Sequence, residues 1–323
     1  MPLARREFLH FGSAVATFIP TMASAQTYPT RPVRIIVGFA TGGVADIAAR
    51  LIGQSLSERL GQPFVVENRA GAATNIATEA VVRASPDGYT LLLVNAANAI
   101  NATLYQNLKF NFVRDIAAVA SIGVTPLVMV VNPSHPAKSV SAFIAHAKAN
   151  PANINYASGG VGSPPHIAAE LFKMMSAVGM THVAYRGDGA AITDLLGGQV
   201  QVYFSTLPGA IEYVRAGNLR ALAVTTPTRA DALPDIPAVA ESLPGFAVSQ
   251  WVGVGAPKGT PAAILERLNL AINAGLSDPR LKARLAEIGV TALPGSSDDF
   301  GKLIAAETEK LGKVIRAANI TAE

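Results

Sequence analysis

The sequence predicts an α/β protein of two Rossmann-like lobes, because two blocks of alternating strand and helix patterns are followed by a helical tail. The strand-like runs are short, apolar and β-branched, as in buried parallel sheets, whereas the segments between them repeat apolar residues at helical spacing. The chain has 323 residues, and 50% of them are hydrophobic. That length is enough for two domains with cores that need no disulfides or metals.

The first block contains three predicted strands and the helices between them. The predicted strands are 33–37, 64–66 and 90–94, and the predicted helices begin near Val44 and cover about 76–83. A longer apolar run at 119–131 contains Pro126. Because proline cannot donate to a central ladder, we expect this strand to change surroundings there, as it would on crossing from one lobe to the other.

The second block repeats the alternation. Its predicted strands are 154–157, 182–185, 200–204 and 219–225, and its predicted helices are 140–149, one from Pro165 with a stripe of Ile167, Leu171, Met174 and Met175, then 190–196 and 210–216. A proline-rich connection at 226–244 leads to a strand at 249–255. The tail is predicted as helices 261–276, 279–288 and 297–318.

Four turns of glycine or small residues each follow a predicted strand and open a predicted helix. They are Gly38–Gly43, Asn95–Asn98, Ser158–Ser163 and Arg186–Gly189. Ligands of open α/β sheets bind at the carboxyl ends of strands, where a helix N-terminus offers free N–H groups and a partial positive charge. Four such ends predict a protein that holds a negatively charged group.

Several function classes are excluded. There are no cysteines, so the chain has no disulfides, thiol nucleophiles or thiolate metal sites. The P-loop, the dinucleotide fingerprint, the G-x-S-x-G elbow and the H-E-x-x-H zinc motif are absent from the sequence. The net charge of +4 is too small, and the basic residues are too scattered, to indicate a nucleic-acid partner.

The N-terminus has the pattern of an export signal over residues 1–25. Arg5 and Arg6 precede a moderately apolar stretch, which ends in the A-x-A cleavage pattern of Ala23 to Ala25. The arginine pair is similar to a twin-arginine signal, and an ordinary secretory signal is the alternative. We therefore expect a mature protein that is soluble and lies outside the cytoplasm.

Two residues beside the turns have competing interpretations. His166 lies three residues after Ser163, so a Ser–His hydrolase is conceivable, but a triad also needs an orienting acid, and the simpler role is to cap or line a binding loop. Asp46 is in the first turn of the first helix, where a carboxylate is favourable by the helix dipole alone. The alternative is that Asp46 holds the first glycine loop.

A series of short motifs runs along the whole mature chain. They are Arg31-Pro32-Val33-Arg34, Gly42-Gly43-Val44-Ala45-Asp46, Leu60-Gly61-Gln62-Pro63, Pro86-Asp87-Gly88-Tyr89-Thr90-Leu91, Asn155-Tyr156-Ala157-Ser158, His182-Val183-Ala184-Tyr185-Arg186-Gly187, Asp194-Leu195-Leu196-Gly197-Gly198 and Arg220-Ala221-Leu222-Ala223-Val224-Thr225. Each motif is weak alone, but in this order they resemble one family, the substrate-binding proteins of tripartite tricarboxylate transporters, also called Bug-type proteins.

The resemblance implies a type II periplasmic binding protein with a Venus-flytrap shape, whose two lobes are joined by two crossing strands. Lobe 1 would comprise residues 26–127 and 250–323, and lobe 2 residues 128–249. Such proteins capture an organic carboxylate, here a di- or tricarboxylate or an aromatic acid, and deliver it to two integral membrane transporter subunits. The resemblance implies no catalytic residues, cofactor or metal, and we expect a monomer.

The resemblance also implies which residues hold the ligand. They are Phe39, Ala40, Thr41, Gly42, Gly43, Asp46 and Asn95 from one lobe, with Ser158, Gly162, Ser163, His166, Tyr185 and Ser205 from the other. Two positions depart from the family. Thr41 replaces a usual proline, which adds a hydroxyl and loosens the loop. Ser205 stands where the family often has aspartate, which disfavours a cationic amino group on the ligand.

Two other functions stay open on the sequence alone. The closed protein could present its ligand to a sensor kinase, a role that shares the fold and the binding site. An exported hydrolase using Ser163 and His166 is the third hypothesis.

Overall fold

The computed structural model describes residues 28–151 and 153–322. The predicted export signal at residues 1–25 lies outside the described residues. The strands are β1 (Val33–Val37), β2 (Phe64–Asn68), β3 (Thr90–Asn95), β4 (Ile116–Val131), β5 (Asn155–Ser158), β6 (Thr181–Ala184), β7 (Val202–Thr206), β8 (Arg220–Val224), β9 (Ser249–Pro257) and β10 (Thr291–Ala292).

The helices alternate with the strands and then close the chain. They are α1 (Val44–Leu60), α2 (Asn75–Val82), α3 (Ala96–Leu104), α4 (Phe112–Asp115), α5 (Val140–Ala149), α6 (Pro164–Ser176), α7 (Asp188–Leu196), α8 (Leu207–Arg215), α9 (Ala262–Leu276), α10 (Pro279–Glu287) and α11 (Ser297–Ala317). Two short 3₁₀ turns lie at Ala72–Thr74 and Val239–Glu241. The predicted α/β alternation in two blocks with a helical tail is confirmed.

The strands form two sheets that share β4. The first sheet has the order β2-β1-β3-β9-β4, with β10 also on β4, and the second has the order β4-β7-β5-β6, with β8 on the other edge of β4. The strands β1, β2 and β3 are parallel to one another, whereas β9 is antiparallel to both β3 and β4. We call the parts built on these sheets the first and second lobes.

β4 changes partners at the proline. Its residues up to Pro126 pair with β9, and from Leu127 onward they pair with β7. The prediction that the strand crosses between lobes at Pro126 is therefore confirmed. The chain returns to the first lobe where Val248 donates to the carbonyl of Thr225 and β9 begins. The lobe boundaries themselves stay a prediction, because strand pairing does not show which parts move together.

Helices cover both faces of each sheet. Along β1 the side chains of Ile35 and Ile36 point to opposite faces, as alternation in a strand requires. Ile35 packs in a cluster with Leu56 of α1 and Leu268 of α9, and Ile36 packs in another with α3 and α11. The carboxyl ends of the strands are left uncovered between the lobes, which is where the cleft lies.

One predicted helical stripe is wrong at its end. Met174 and Met175 of α6 are 47% and 37% exposed, whereas Ala168, Ala169 and Phe172 are buried. The buried face is the one that packs with Phe204 of β7 and the second-lobe core. Among the described residues, no helix has both the length and the apolar character needed to cross a membrane.

Candidate ligand-binding cleft

A cleft of about 490 Å³ lies between the lobes. The first lobe contributes the ends of β1 and β3 and the start of α3, the second contributes the loop before α6, and β4 and β9 form the floor. The lining residues are Phe39, Gly43, Val44, Ala45, Ala73, Asn95, Ala96, Ala97, Asn101, Leu104, Tyr105, Thr125, Gly159, Gly160, Val161, Gly162, Ser163, Pro164, Pro165, Asp188, Thr206, Pro208, Gln250, Trp251 and Val252.

The buried Asp46 side chain fixes the first glycine loop by hydrogen bonds. This carboxylate is 1% exposed and accepts hydrogen bonds from the N–H of Gly42 at 2.9 Å, from Arg50 and from Asn68. Burial raises the pKa of Asp46, but these donors outweigh it and leave the pKa below its usual value. Of the predicted residues here, Phe39 and Gly43 line the cleft.

The remaining predicted residues of that loop do not line it. Ala40, Thr41 and Gly42 are exposed beside the cleft, and Asp46 lies beneath them. The Thr41 hydroxyl donates to Asn68 at 3.3 Å. The extra hydroxyl at this position is therefore used inside the first lobe, where it ties the loop to β2.

The start of α3 borders the cleft and satisfies two of its own main-chain N–H groups. The side-chain oxygen of Asn95 caps the helix by accepting from Ala97, and Asn98 accepts from the N–H of Asn95 at 2.8 Å. Asn95, Ala96 and Ala97 all line the cleft. Within the described part of the chain, the Nδ2 group of Asn95 has no hydrogen-bond partner.

The second-lobe loop presents Gly162 and Ser163 and holds two predicted residues behind them. The Ser163 hydroxyl donates to Gly160 at 2.7 Å and accepts from the N–H of His166, so it caps α6. The His166 ring accepts from the N–H of Gly162 at 3.0 Å through Nδ1. Ser158 is fully buried and bonded to His182. Ser163 and His166 thus serve the loop and are not joined as nucleophile and base.

His166 and His182 stack with their ring centroids 3.9 Å apart. Burial, with the positive charge of Lys173 and that of His182 when this ring is protonated, lowers the pKa of His166 to about 3. Burial also lowers the pKa of His182. Both rings are therefore neutral near pH 7, and a neutral His166 keeps its Nδ1 lone pair for Gly162.

This stack makes stability depend on pH. The pKa of His166 is lower in the folded chain than in the unfolded chain, so between about pH 3 and 6.5 the unfolded state binds more protons and stability falls as pH falls. His166→Asn keeps an acceptor near Nδ1 but cannot titrate. The wild type should lose unfolding free energy between pH 7 and pH 5, and the variant should lose about 2 kcal/mol less. Denaturant unfolding at the two pH values measures both losses. Equal losses in the wild type and the variant would show that His166 is not the titrating group.

Two other predicted residues stand away from the cleft wall. The Tyr185 hydroxyl donates to Asp194 at 2.7 Å, and burial with this bond raises the pKa of Tyr185 to about 12. Ser205 is fully buried beneath Thr206 and donates to its carbonyl at 3.2 Å. Whether any of the predicted residues touches a ligand stays a prediction.

Sequence reasoning missed lining residues of three kinds. Thr125 and Gln250 face each other across β4 and β9, and only the pairing register reveals this. Asn101, on α3, donates a side-chain hydrogen bond to the carbonyl of Ala73. Asp188 lies inside the fourth glycine turn, so the sequence places it near the cleft, but the sequence does not show that its side chain lines the cleft. No group of metal-binding side chains occurs among the described residues.

Comparison with known proteins identifies the family. A model described as "Tripartite tricarboxylate transporter family receptor" matches residues 48–320. The chain belongs to this family. Protein BugT of Bordetella pertussis (strain Tohama I) is 38% identical over 301 residues, which cover 92% of each chain. The resemblance to Bug-type proteins is therefore confirmed.

Solved structures of relatives confirm the fold. An R. palustris protein described as Rpa4515 with adipate is 36% identical, with a TM-score of 0.78 and coverage of 91% of this chain and 99% of that chain. MatC from Rhodopseudomonas palustris with bound malate is 30% identical, with a TM-score of 0.74 and coverage of 89% and 100%. The fold of these relatives thus extends over about nine-tenths of the chain.

Proposed function

We propose that this receptor captures an organic carboxylate between its lobes and delivers it to a tripartite tricarboxylate-type membrane transporter. The observation that carries the proposal is the convergence of two helix starts, those of α1 and α3, on one cleft. The start of α6 also borders this cleft, but Pro164 and Pro165 have no N–H, and the N–H groups of Gly162 and His166 are bonded within the loop. Main-chain N–H groups at helix starts are suited to an anion. Among the described residues, no basic side chain lines the cleft, so these N–H groups would carry the recognition.

The cleft shape fits capture by closure. Leu104 of the first lobe reaches Gly162 of the second, where an added Cβ would come within 2.5 Å of its Cδ2 atom. A ligand contacted from both lobes binds the closed arrangement better than the open one, which is the differential affinity that closure needs. Capture of this kind ends in release, so we propose no chemical step.

The family and its named relatives set the ligand class and the location that we propose. The relatives carry adipate and malate, so the candidates begin with di- and tricarboxylates and extend to aromatic acids that suit the apolar part of the lining. Export by the N-terminal signal would place the protein in the periplasm. There it would meet two integral membrane subunits, as the family description implies.

Binding is tested by a ligand screen on the purified protein. Trp251 is the only tryptophan in the chain and lines the cleft, so its fluorescence should change when a ligand is bound. A ligand at ~100 times its dissociation constant should add about 2.7 kcal/mol to the unfolding free energy, measured by thermal shift. If adipate, malate, citrate and benzoate all fail to change either signal, carboxylate capture is wrong for this receptor.

Delivery is tested in the producing cell. Deleting the receptor should abolish uptake of the ligand found in the screen, and restoring it should restore uptake. Loss of gene induction with unchanged uptake would point to the sensor-kinase role and contradict delivery.

A further inference from the structure

Among the described residues that line the cleft, Asp188 alone is charged. We infer that Asp188 determines specificity by accepting a hydrogen bond from a hydroxyl or ammonium group at the end of the ligand remote from its carboxylate. The ligand class is then an amino or hydroxy monocarboxylate, in place of the di- and tricarboxylates with which the candidates above begin. This inference rests on the proposed capture of an organic carboxylate between the lobes.

The Asp188 carboxylate is fixed by two donors from β7. One oxygen accepts from the Tyr203 hydroxyl at 2.5 Å, and the other accepts from the Thr206 hydroxyl at 2.7 Å. Burial, together with the charge of Asp188, raises the pKa of Tyr203 above its usual range, so this hydroxyl keeps its proton and remains a donor. Each carboxylate oxygen accepts about two hydrogen bonds, so both oxygens retain acceptor capacity.

Helix capping does not account for this side chain. An acid in the first turn is favourable by the dipole, and Asp188 is the first residue of α7. The cap position is Gly187, however, and no side-chain cap bond is made there. The carboxylate instead turns across to β7 and lies at the cleft wall, 3.2 Å from where a Cβ on Gly159 would stand.

Two buried N–H donors on the first-lobe side of the cleft lack hydrogen-bond partners among the described residues. Asn95 is 7% exposed and Trp251 is 1% exposed, and within the described residues neither Asn95 Nδ2 nor Trp251 Nε1 has a partner. A buried donor without a partner is unfavourable. A ligand carboxylate near this wall would supply acceptors to these two groups and to the N–H of Ala96, since the N–H groups of Asn95 and Ala97 are already bonded within the helix start. Among the described lining residues, these two unpaired donors therefore lie on the first-lobe side, and the one carboxylate, that of Asp188, lies on the second-lobe side.

A second carboxylate on the ligand would meet Asp188 with no basic lining residue between them. Like charges in such a place repel, whereas a hydroxyl or ammonium gains a charge-assisted bond. The carboxylate of Asp188 argues against the expectation from Ser205 that a cationic amino group on the ligand is disfavoured. The two side chains are neighbours, because a Cβ added at Gly209 would lie 3.1 Å from Asp188 and 3.3 Å from Ser205. Asp188 thus brings a carboxylate from α7 to the surroundings of Ser205.

The test uses ligands of matched length that differ at one end. Adipate, 6-hydroxyhexanoate and 6-aminohexanoate form one series, and terephthalate, 4-(hydroxymethyl)benzoate and 4-(aminomethyl)benzoate form another. Calorimetry on the wild type should show the hydroxy or amino acid of at least one series binding roughly tenfold or more tightly than its dicarboxylate. Asp188→Asn should reduce that ratio by roughly tenfold. Glu212→Gln is the matched control, since Glu212 is an exposed acid on α8, and it should leave the ratio unchanged.

The outcomes separate the two proposals. If dicarboxylates bind as tightly as their partners and the ratio is the same in Asp188→Asn, the role of Asp188 is wrong while carboxylate capture stands. If no acid of either series and none of the earlier screen binds, capture itself fails and this inference fails with it. Should Asp188→Asn prove unfolded by circular dichroism, the wild-type ranking alone decides the point.

Discussion

Replacing Asn98 by alanine should lower the unfolding free energy by about 2–4 kcal/mol. Asn98 is 2% exposed and makes three hydrogen bonds, accepting from the N–H of Asn95 and donating to Thr74 and Thr78. Alanine leaves the buried Asn95 N–H without an acceptor. Thr74 also loses the hydrogen bond from Asn98. The backbone of Thr74 is left-handed, with φ +81°, which is strained for a β-branched residue.

The same change should weaken ligand binding by more than its effect on folding alone would suggest. Asn98 orients the start of α3, where Asn95, Ala96 and Ala97 face the cleft. Denaturant unfolding and calorimetry with the ligand from the screen measure the two effects. Asn218→Ala is the control, because Asn218 is exposed in the turn after α8, and it should alter stability by less than about 0.5 kcal/mol. Equal effects of Asn98→Ala and Asn218→Ala on stability and binding would contradict the role of Asn98 in orienting the start of α3.

Replacing Gly253 by alanine should destabilise the first lobe by about 2–3 kcal/mol. Gly253 lies in β9 between β3 and β4, and its missing side chain leaves room for the ring of Phe300. A Cβ there would overlap that ring and lie 2.6 Å from the Ala120 carbonyl. The carbonyl belongs to the backbone of a central strand, so it cannot move aside as a flexible side chain would.

Gly301→Ala is the matched control for this substitution. Gly301 lies in α11, and an added Cβ would have Ala118 Cβ as its nearest neighbour at 3.8 Å. Alanine in a helix is favoured over glycine, so the control should be more stable by about 0.5–1 kcal/mol. Opposite signs of the two substitutions in denaturant unfolding are the expected result. Destabilisation by both would show that the close approach of Phe300 is not the cause.

The fold was predictable because periodicity is a local property of the chain. Strand and helix runs could be read between Val33 and the tail, and Pro126 marked the crossing because its missing N–H is a property of the residue itself. The short strand β10 was missed, since two residues, Thr291 and Ala292, carry no periodic signal. The predicted apolar stripe of α6 is wrong at Met174 and Met175, because an apolar side chain gives the same sequence signal whether it is buried or exposed.

The site was predictable only as a set of loops. Gly43, Asn95, Gly162 and Ser163 line the cleft because they follow strand ends, which sequence spacing locates. Which side chains turn inward depends on packing between distant segments. Asp188 turns toward the cleft because Tyr203 and Thr206, on a strand more than ten residues later, donate to it.

The interleaved strand order has a consequence for how the chain acquires its structure. The second-lobe strands β5 to β8 are contiguous in sequence, so their contacts form between segments made close together in time. The first lobe cannot be completed until β9 inserts between β3 and β4. During synthesis the edges of β3 and β4 therefore stay unpaired with β9 until the last quarter of the chain has been made. Loss of the C-terminal part would leave the first lobe without its central strand while sparing the pairing of β5, β6 and β7.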